Sequence, residues 1–320
     1  MIDQNGYDSI LLIGFGGPTP GCCKKHDTCP GEAYCFVEGI IGAAEVNAER
    51  VQSVASHYVA LGGFSPFNEL TFKQADALET TLKARGVDVP IYVGMRNWRP
   101  YLREVIAEMC DNGHQQTLGI ILSAYQSSSS WERYQNDVKA AIDASGGETP
   151  AIHYLDAWHS HPGFVNALAD RVREAYADMD AARFDEAALI FTAHALPQSA
   201  ARRSPYTKQF RQTASAVAAQ LGKEFDIAYQ SAPDNPTVPW TTPDINDLIR
   251  IKKEAGFRDV IVSPIGFLCC HVEVLYDLGV EAKATAAACD IGFVCTQTVG
   301  DHPEFIGMLA ECVCERFEGV

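Results

Sequence analysis

At 320 residues, 47% of them hydrophobic and 21% charged, the chain is long enough for two packed domains and too apolar for disorder. Asp and Glu outnumber Lys and Arg 41 to 25, and the resulting net charge of −16 argues against nucleic-acid or anionic-membrane partners, whose binding is driven by cationic side chains releasing counterions. The opening MIDQNGYDSILLIGFGG has no basic leader region, and no run of about 18 apolar residues follows, so a cytoplasmic protein without a transmembrane segment is expected.

In chain order, SILLIGFGG reads as a buried strand ending in glycines. Helices follow over 45–60 and 69–84, then the strand PIYVGM, the helix YLREVIAEMCDNG and the strand LGIILSAY. The second half repeats the rhythm, with strands AIHYLDAW, ALIFTAHALP, FDIAYQSAP and DVIVSPIGFL, helices over 163–177, 205–221 and 244–255, and a last helix near 303–316. Short apolar runs alternating with helices predict an α/β fold of two parallel sheets flanked by helices, with a boundary near ASGGETP at 144–150. The two units expected are 1–150 and 151–302.

Doubly wound sheets hold ligands outside the carboxyl ends of their strands, so the residues that follow each strand carry the functional signal. GFGGP at 14–18 is no dinucleotide turn, since Thr19 stands where a third glycine is needed and Pro18 removes a backbone donor. TAHALP places His194 at a strand end, where a lone histidine is more often structural. In HVEVLYDLGVEA, a helix would stack Glu273, Asp277 and Glu281 at i, i+4 and i+8 along one face. Three carboxylates so spaced form either a solvated acidic face or a row of transient ligands for a divalent cation lining a cleft.

Taken together, LLIGFGGP, GGFSPFNE, TAHALP, YQSAPDNPTVPW and GFLCCHVEVLYD resemble the ferrochelatases, which insert ferrous iron into a porphyrin, and the likeness runs from residue 10 to about 317. It implies a chelatase-like pair of Rossmann-like domains with four-stranded parallel sheets, the porphyrin between them, and the last helix (303–320) packed on the first domain. It implies that His194 and Glu273 flank the insertion centre, that His194 takes pyrrole protons or hands over metal, and that Asp277 and Glu281 form a more exposed iron path. Phe15, Met95, Tyr134 and Trp240 would supply porphyrin walls, and Tyr58, Ser65 and Arg96 would meet propionates. The substrates implied are porphyrin and Fe²⁺, in a monomer or dimer.

Two departures bear on the porphyrin. Phe15 stands where many bacterial members carry Tyr, which removes a phenol near the iron. Ile40-Ile41-Gly42 stands where coproporphyrin-using members resemble Arg-Arg-Gly, and this exchange of guanidiniums for branched aliphatics favours the vinyl groups of protoporphyrin IX over extra propionates. Against it, GMRNW and LYDLGVEA are similar to actinobacterial members, which use coproporphyrin III. Protoporphyrin IX is the expectation and coproporphyrin III the alternative.

Four of the eleven cysteines, Cys22, Cys23, Cys29 and Cys35, cluster after the first strand among Gly, Pro and charged residues. In a reducing compartment such a group reads as a metal or iron-sulfur site before a disulfide framework. The segment is similar to that of ferrochelatases with an internal [2Fe-2S] cluster, which implies these four as ligands in a structural or regulatory role, because metallation has no net redox step. Trp131 occupies the position where actinobacterial members carry a cluster cysteine. Cys289, Cys295, Cys312 and Cys314 form the competing set, and Cys269 and Cys270 are read as packing residues. Rivals of other classes are a non-catalytic haem or porphyrin carrier and a cobalt or nickel chelatase.

Overall fold

A computed structural model of the chain describes residues 6–21, 30–177, 181–233 and 236–318. The chain divides into two compact units, one comprising Met1–Leu122, Arg133–Leu155 and Ala310–Val320 and the other Ser123–Glu132 and Asp156–Leu309. Relative to the expected 1–150 and 151–302, the segment Ser123–Glu132 groups with the second unit and the last helix divides at Ala310.

The first unit runs β1 (Ser9–Gly14), α1 (Glu32–Ile41), α2 (Ala48–Ala60), α3 (Phe67–Ala84), β2 (Ile91–Met95), α4 (Leu102–Asp111), β3 (Gln116–Ile121), α5 (Arg133–Ser145) and β4 (Ala151–Tyr154). Its four strands are parallel in the order β2-β1-β3-β4. Ile10, Leu11, Leu12 and Ile13 of β1 are all fully buried, as the continuous apolar run of a strand covered on both faces requires. Each contributes roughly 1.5–3 kcal/mol of burial free energy, an upper bound given a compact unfolded chain.

The second unit runs α6 (Pro162–Ala175), α7 (Ala181–Glu186), β5 (Ala188–His194), α8 (Gln198–Arg202), α9 (Tyr206–Leu221), β6 (Phe225–Gln230), α10 (Ile245–Glu254), β7 (Asp259–Ser263), α11 (Val272–Leu275), α12 (Lys283–Ala288) and β8 (Gly292–Cys295), with α13 (Pro303–Glu318) last. Its strands are parallel in the order β6-β5-β7-β8. The two four-stranded parallel sheets are those expected. Elements absent from the sequence reading are α1, α5, α7, α8 and β8. In α5 the buried Tyr134, Val138 and Ala141 recur at helical spacing, whereas the four half-buried residues of β8 carry no period of their own.

In each sheet the chain reverses direction beside the first strand it lays down, between β1 and β3 and between β5 and β7. These are the topological switch points at which open parallel sheets present their ligand-binding loops. In the second unit the loop after β7 is pinned to the end of β5, because Gly266 N–H donates to Thr192 O at 3.0 Å. A Cβ on Gly266 would lie 2.5 Å from Ala193 Cβ and 2.6 Å from Ala193 Cα, an approach that glycine alone permits. Gly266→Ala is therefore expected to lower unfolding free energy by about 1–3 kcal/mol, read as a reduced urea midpoint at unchanged slope.

Candidate active site

His194 is the last residue of β5, and the loop after β7 brings His271 and Glu273 opposite it. The imidazole orientation follows from one bond. His194 Nδ1 lies 2.5 Å from Ala195 O, and since a carbonyl only accepts, Nδ1 donates there and Nε2 is the nitrogen turned toward the carboxylate. That nitrogen faces Glu273 Oε2 at 3.6 Å, while His271 Nε2 approaches the same oxygen at 3.2 Å. Tyr206 OH donates to His194 O at 3.1 Å and fixes the strand end from below.

Glu273 is half-buried, and desolvation opposes its ionisation, but the attraction of His194 and the hydrogen bond and charge of His271 outweigh that cost and hold its pKa down to about 2. Glu273 is thus an anion facing His194 Nε2.

The helix carrying the acidic row is not uniformly α. Tyr276 O accepts from Val280 N at 2.9 Å and from Glu281 N at 3.0 Å, which starts a π-turn over Asp277–Ala282 between α11 and α12. Four residues of α-helix overshoot a full turn by about 40°, and four of a wider i→i+5 turn fall short by about 30°. The two offsets nearly cancel, which keeps Glu273, Asp277 and Glu281 in line.

Glu281 is exposed, as expected, but Asp277 is not the more exposed carboxylate of the relay: it is 8% exposed and more buried than Glu273. The reason is local. Ser231 Oγ hydrogen-bonds Asp277 Oδ2, with Ser231 held at φ +64°, a left-handed conformation that costs a non-glycine residue about 1–2 kcal/mol. Burial, aided by the charges of Glu273 and Glu281 and opposed by the Ser231 bond, raises the Asp277 pKa well above the ordinary carboxylate value. Among the described residues no group of three or more His, Cys, Asp or Glu side chains converges as a metal site.

Of the residues read as porphyrin walls and anchors, all but Trp240 belong to the first unit. Phe15, just past β1, is half-exposed, while Tyr58, Ser65, Met95 and Tyr134 are buried. Phe36 of α1, not anticipated, meets Phe15 at 6.3 Å, Tyr58 at 5.5 Å and Trp98 at 6.0 Å, all edge-on. Arg96 lies over Tyr134 at 4.3 Å and Phe15 at 5.8 Å, and its Nε is bonded to Asp137 Oδ2 at 2.6 Å. Ser65 Oγ accepts from Phe67 N at 3.3 Å, and Met95 packs on Gly14. Trp240, in the second unit, is half-exposed and bridges Pro197.

Cys22, Cys23 and Cys29 lie outside the described residues. Cys35 is not a loop thiol: it is fully buried in the first turn of α1 beside Ala33, Phe36 and Val37, because the segment from Glu32 is an amphipathic helix. In the competing set, burial pushes Cys295 up to about 12 and Cys312 up to about 11, which disfavours their thiolates. His271, Gln230 and Ser231 were missed as site residues. His271 sits in the visible H-x-E pattern, but the other two are recognisable only once β6 is placed beside β5.

The opposite shifts of Glu273 and Asp277 give opposite pH effects. Asp277 keeps its proton in the folded state above its ordinary 3.8, so stability falls as pH rises from there through its raised pKa. Asp277→Asn is expected to flatten that fall and give a higher urea midpoint than the parent at pH 8, the difference closing below pH 4. Glu273 binds fewer protons folded than unfolded between about 2 and 4.5, so it adds stability as pH rises through that window. Glu273→Gln is expected to lose it, with a lower midpoint at neutral pH and convergence toward pH 2.

No helix of the described residues is long and apolar enough to cross a membrane. SirB from Bacillus subtilis, solved with Fe³⁺, superposes over 96% of this chain and 94% of its own with a TM-score of 0.57 at 11% identity, a likeness of fold. A coproporphyrin III ferrochelatase of Mycolicibacterium smegmatis is 35% identical over 318 residues, covering 98% of this chain and 91% of its own length. A ferrochelatase of Rhodopirellula baltica is 34% identical over 318 residues, covering 99% and 88%. The ferrochelatase family model matches residues 35–317. With His194 facing an ionised carboxylate at the switch point of a chelatase-like sheet, the chain belongs to the ferrochelatase family, the lyases that insert iron into a porphyrin.

Proposed function

We propose that this chain inserts Fe²⁺ into coproporphyrin III, giving coprohaem, with His194 as the proton acceptor. The observation that carries the reaction is the placement of His194 Nε2, the nitrogen not engaged by Ala195 O, 3.6 Å from the Glu273 carboxylate. Insertion removes two pyrrole protons and strips water from the ion. His194 takes a proton at Nε2, Glu273 balances the imidazolium that forms, and Asp277 and Glu281 hold the incoming cation loosely enough to release it. Phe15, Met95, Tyr134 and Trp240 are assigned to the macrocycle faces, and Tyr58, Ser65 and Arg96 to its carboxylates.

The choice of porphyrin is supported by the relatives bearing that name, at 34–35% identity in Mycolicibacterium smegmatis and Streptomyces coelicolor. A second reading, protoporphyrin IX, is favoured by one observation: Ile40, 42% exposed, and Ile41 close α1 where guanidiniums would suit extra propionates. Initial rates of Fe²⁺ insertion into both porphyrins decide between them. Coproporphyrin III is expected to give the larger kcat/KM by about tenfold or more, and His194→Ala to lower kcat by about 10²–10⁴. A preference for protoporphyrin IX would select the second reading. Tight binding of both porphyrins without turnover would indicate a carrier.

We also propose that Cys22, Cys23, Cys29 and Cys35 hold a [2Fe-2S] cluster of structural or regulatory role. The support is the clustering of these thiols and the likeness of the segment to ferrochelatases with an internal cluster; Cys35 would have to give its thiolate from the buried side of α1, and no step of the insertion passes through the cluster. Anaerobically purified protein is expected to be coloured, with iron and acid-labile sulfide in equal amounts. Cys29→Ser is expected to bleach it while insertion stays within a few-fold. A colourless protein free of sulfide would remove the cluster.

A further inference from the structure

We infer that Gln230 is a positioning residue for metal insertion, holding Glu273 in register with His194; this rests on the reading of His194 and Glu273 as the insertion pair. Gln230 ends β6 directly beside His194 in the sheet, and its carbonyl accepts from Ala195 N at 2.8 Å. Its side chain, in a residue only 1% exposed, reaches the other way. Thr192 Oγ1 donates to its Oε1 at 3.0 Å, and its Nε2 donates to Glu273 O at 2.6 Å.

These bonds orient the amide uniquely. A backbone carbonyl accepts and cannot satisfy Oε1, so the nitrogen must face Glu273 O, and the Thr192 hydroxyl locks the oxygen on the opposite side. One rigid side chain thus ties the strand that ends in His194 to the backbone of Glu273. Among the described residues the other link between Glu273 and β5 is the approach of its Oε2 to His194. An ordinary buried glutamine needs partners for stability alone, whereas here the partners are the parts whose separation sets the reaction geometry. A displacement of about 1 Å between reacting groups costs about 10² in rate.

Gln230→Met preserves length and volume and removes every side-chain hydrogen bond. It is expected to lower kcat for Fe²⁺ insertion by about 10–100-fold while KM for porphyrin stays within about threefold and the melting temperature falls by only a few degrees. Thr192→Val frees the amide to rotate and is expected to lower kcat by about fivefold or more, with Thr192→Ser restoring it. A Gln230→Met kcat within twofold of the parent, a loss no larger than the loss of folded protein, or equal activity in Thr192→Val and Thr192→Ser would overturn the inference. If Gln230→Met does not fold, the Thr192 pair decides. His194→Ala separates the two levels: full activity in that variant refutes the insertion pair itself, whereas its inactivity beside an active Gln230→Met refutes only the role of Gln230.

Discussion

One oxygen sets the terms for the rest of the second unit. Glu273 Oε2 is approached by two imidazole nitrogens, His271 Nε2 at 3.2 Å and His194 Nε2 at 3.6 Å, while the second nitrogen of His194 is spent on Ala195 O. The carboxylate is an anion, so the site is poised for a positive species between or upon these groups. A proton on His194 satisfies it directly. The fold keeps this arrangement from relaxing by gripping its backbone at Tyr206, Gln230 and Gly266, three contacts that touch no reacting atom.

Four residues further on, the opposite choice is made with the same functional group. Glu273 is drawn into ionisation by two histidines, and Asp277, buried beside the Ser231 hydroxyl and two neighbouring carboxylates, is pushed toward its neutral form. Environments that drive two carboxyl groups apart assign them different tasks. The π-turn is what allows both in one line: a pure α-helix would rotate the third carboxylate by about 80° from the first, and the wider turn recovers most of that. The strained backbone at Ser231 belongs to the same device, since only a left-handed residue there delivers a hydroxyl to Asp277 from the end of β6.

How much of this was legible follows from what kind of signal each part leaves. The central strands β1, β5 and β7 are continuous apolar runs and declare themselves, and His194 and Glu273 stand in recognisable patterns after strands. The depth of Asp277 was hidden, because burial is set by Ser231, 46 positions away. Gln230 carries no local signal at all; a glutamine after an apolar strand reads as an exposed cap until β6 is laid beside β5. The helix α1 was obscured for a different reason. Glycine, proline and clustered thiols dominate the stretch before it and read as loop, which drew Cys35 into that reading although Ala33, Cys35, Phe36 and Val37 form its buried side.

The first unit of this acidic chain encloses one cation together with its own counter-ion. Arg96 is almost enclosed, its guanidinium stacked on Tyr134 and tied to Asp137, so its charge is already matched inside the protein. A porphyrin propionate reaching it would exchange one carboxylate partner for another, and the Coulomb terms of the two states largely cancel. Discrimination then falls to geometry: whether the incoming group meets the planar fork as well as Asp137 does while the aromatic faces stay packed. A net charge of −16 therefore need not repel an anionic substrate at this point, because the internal counter-ion has already been supplied and only its replacement must be balanced. The same reasoning makes Asp137, which no sequence pattern singled out, as informative about the substrate as the arginine it holds.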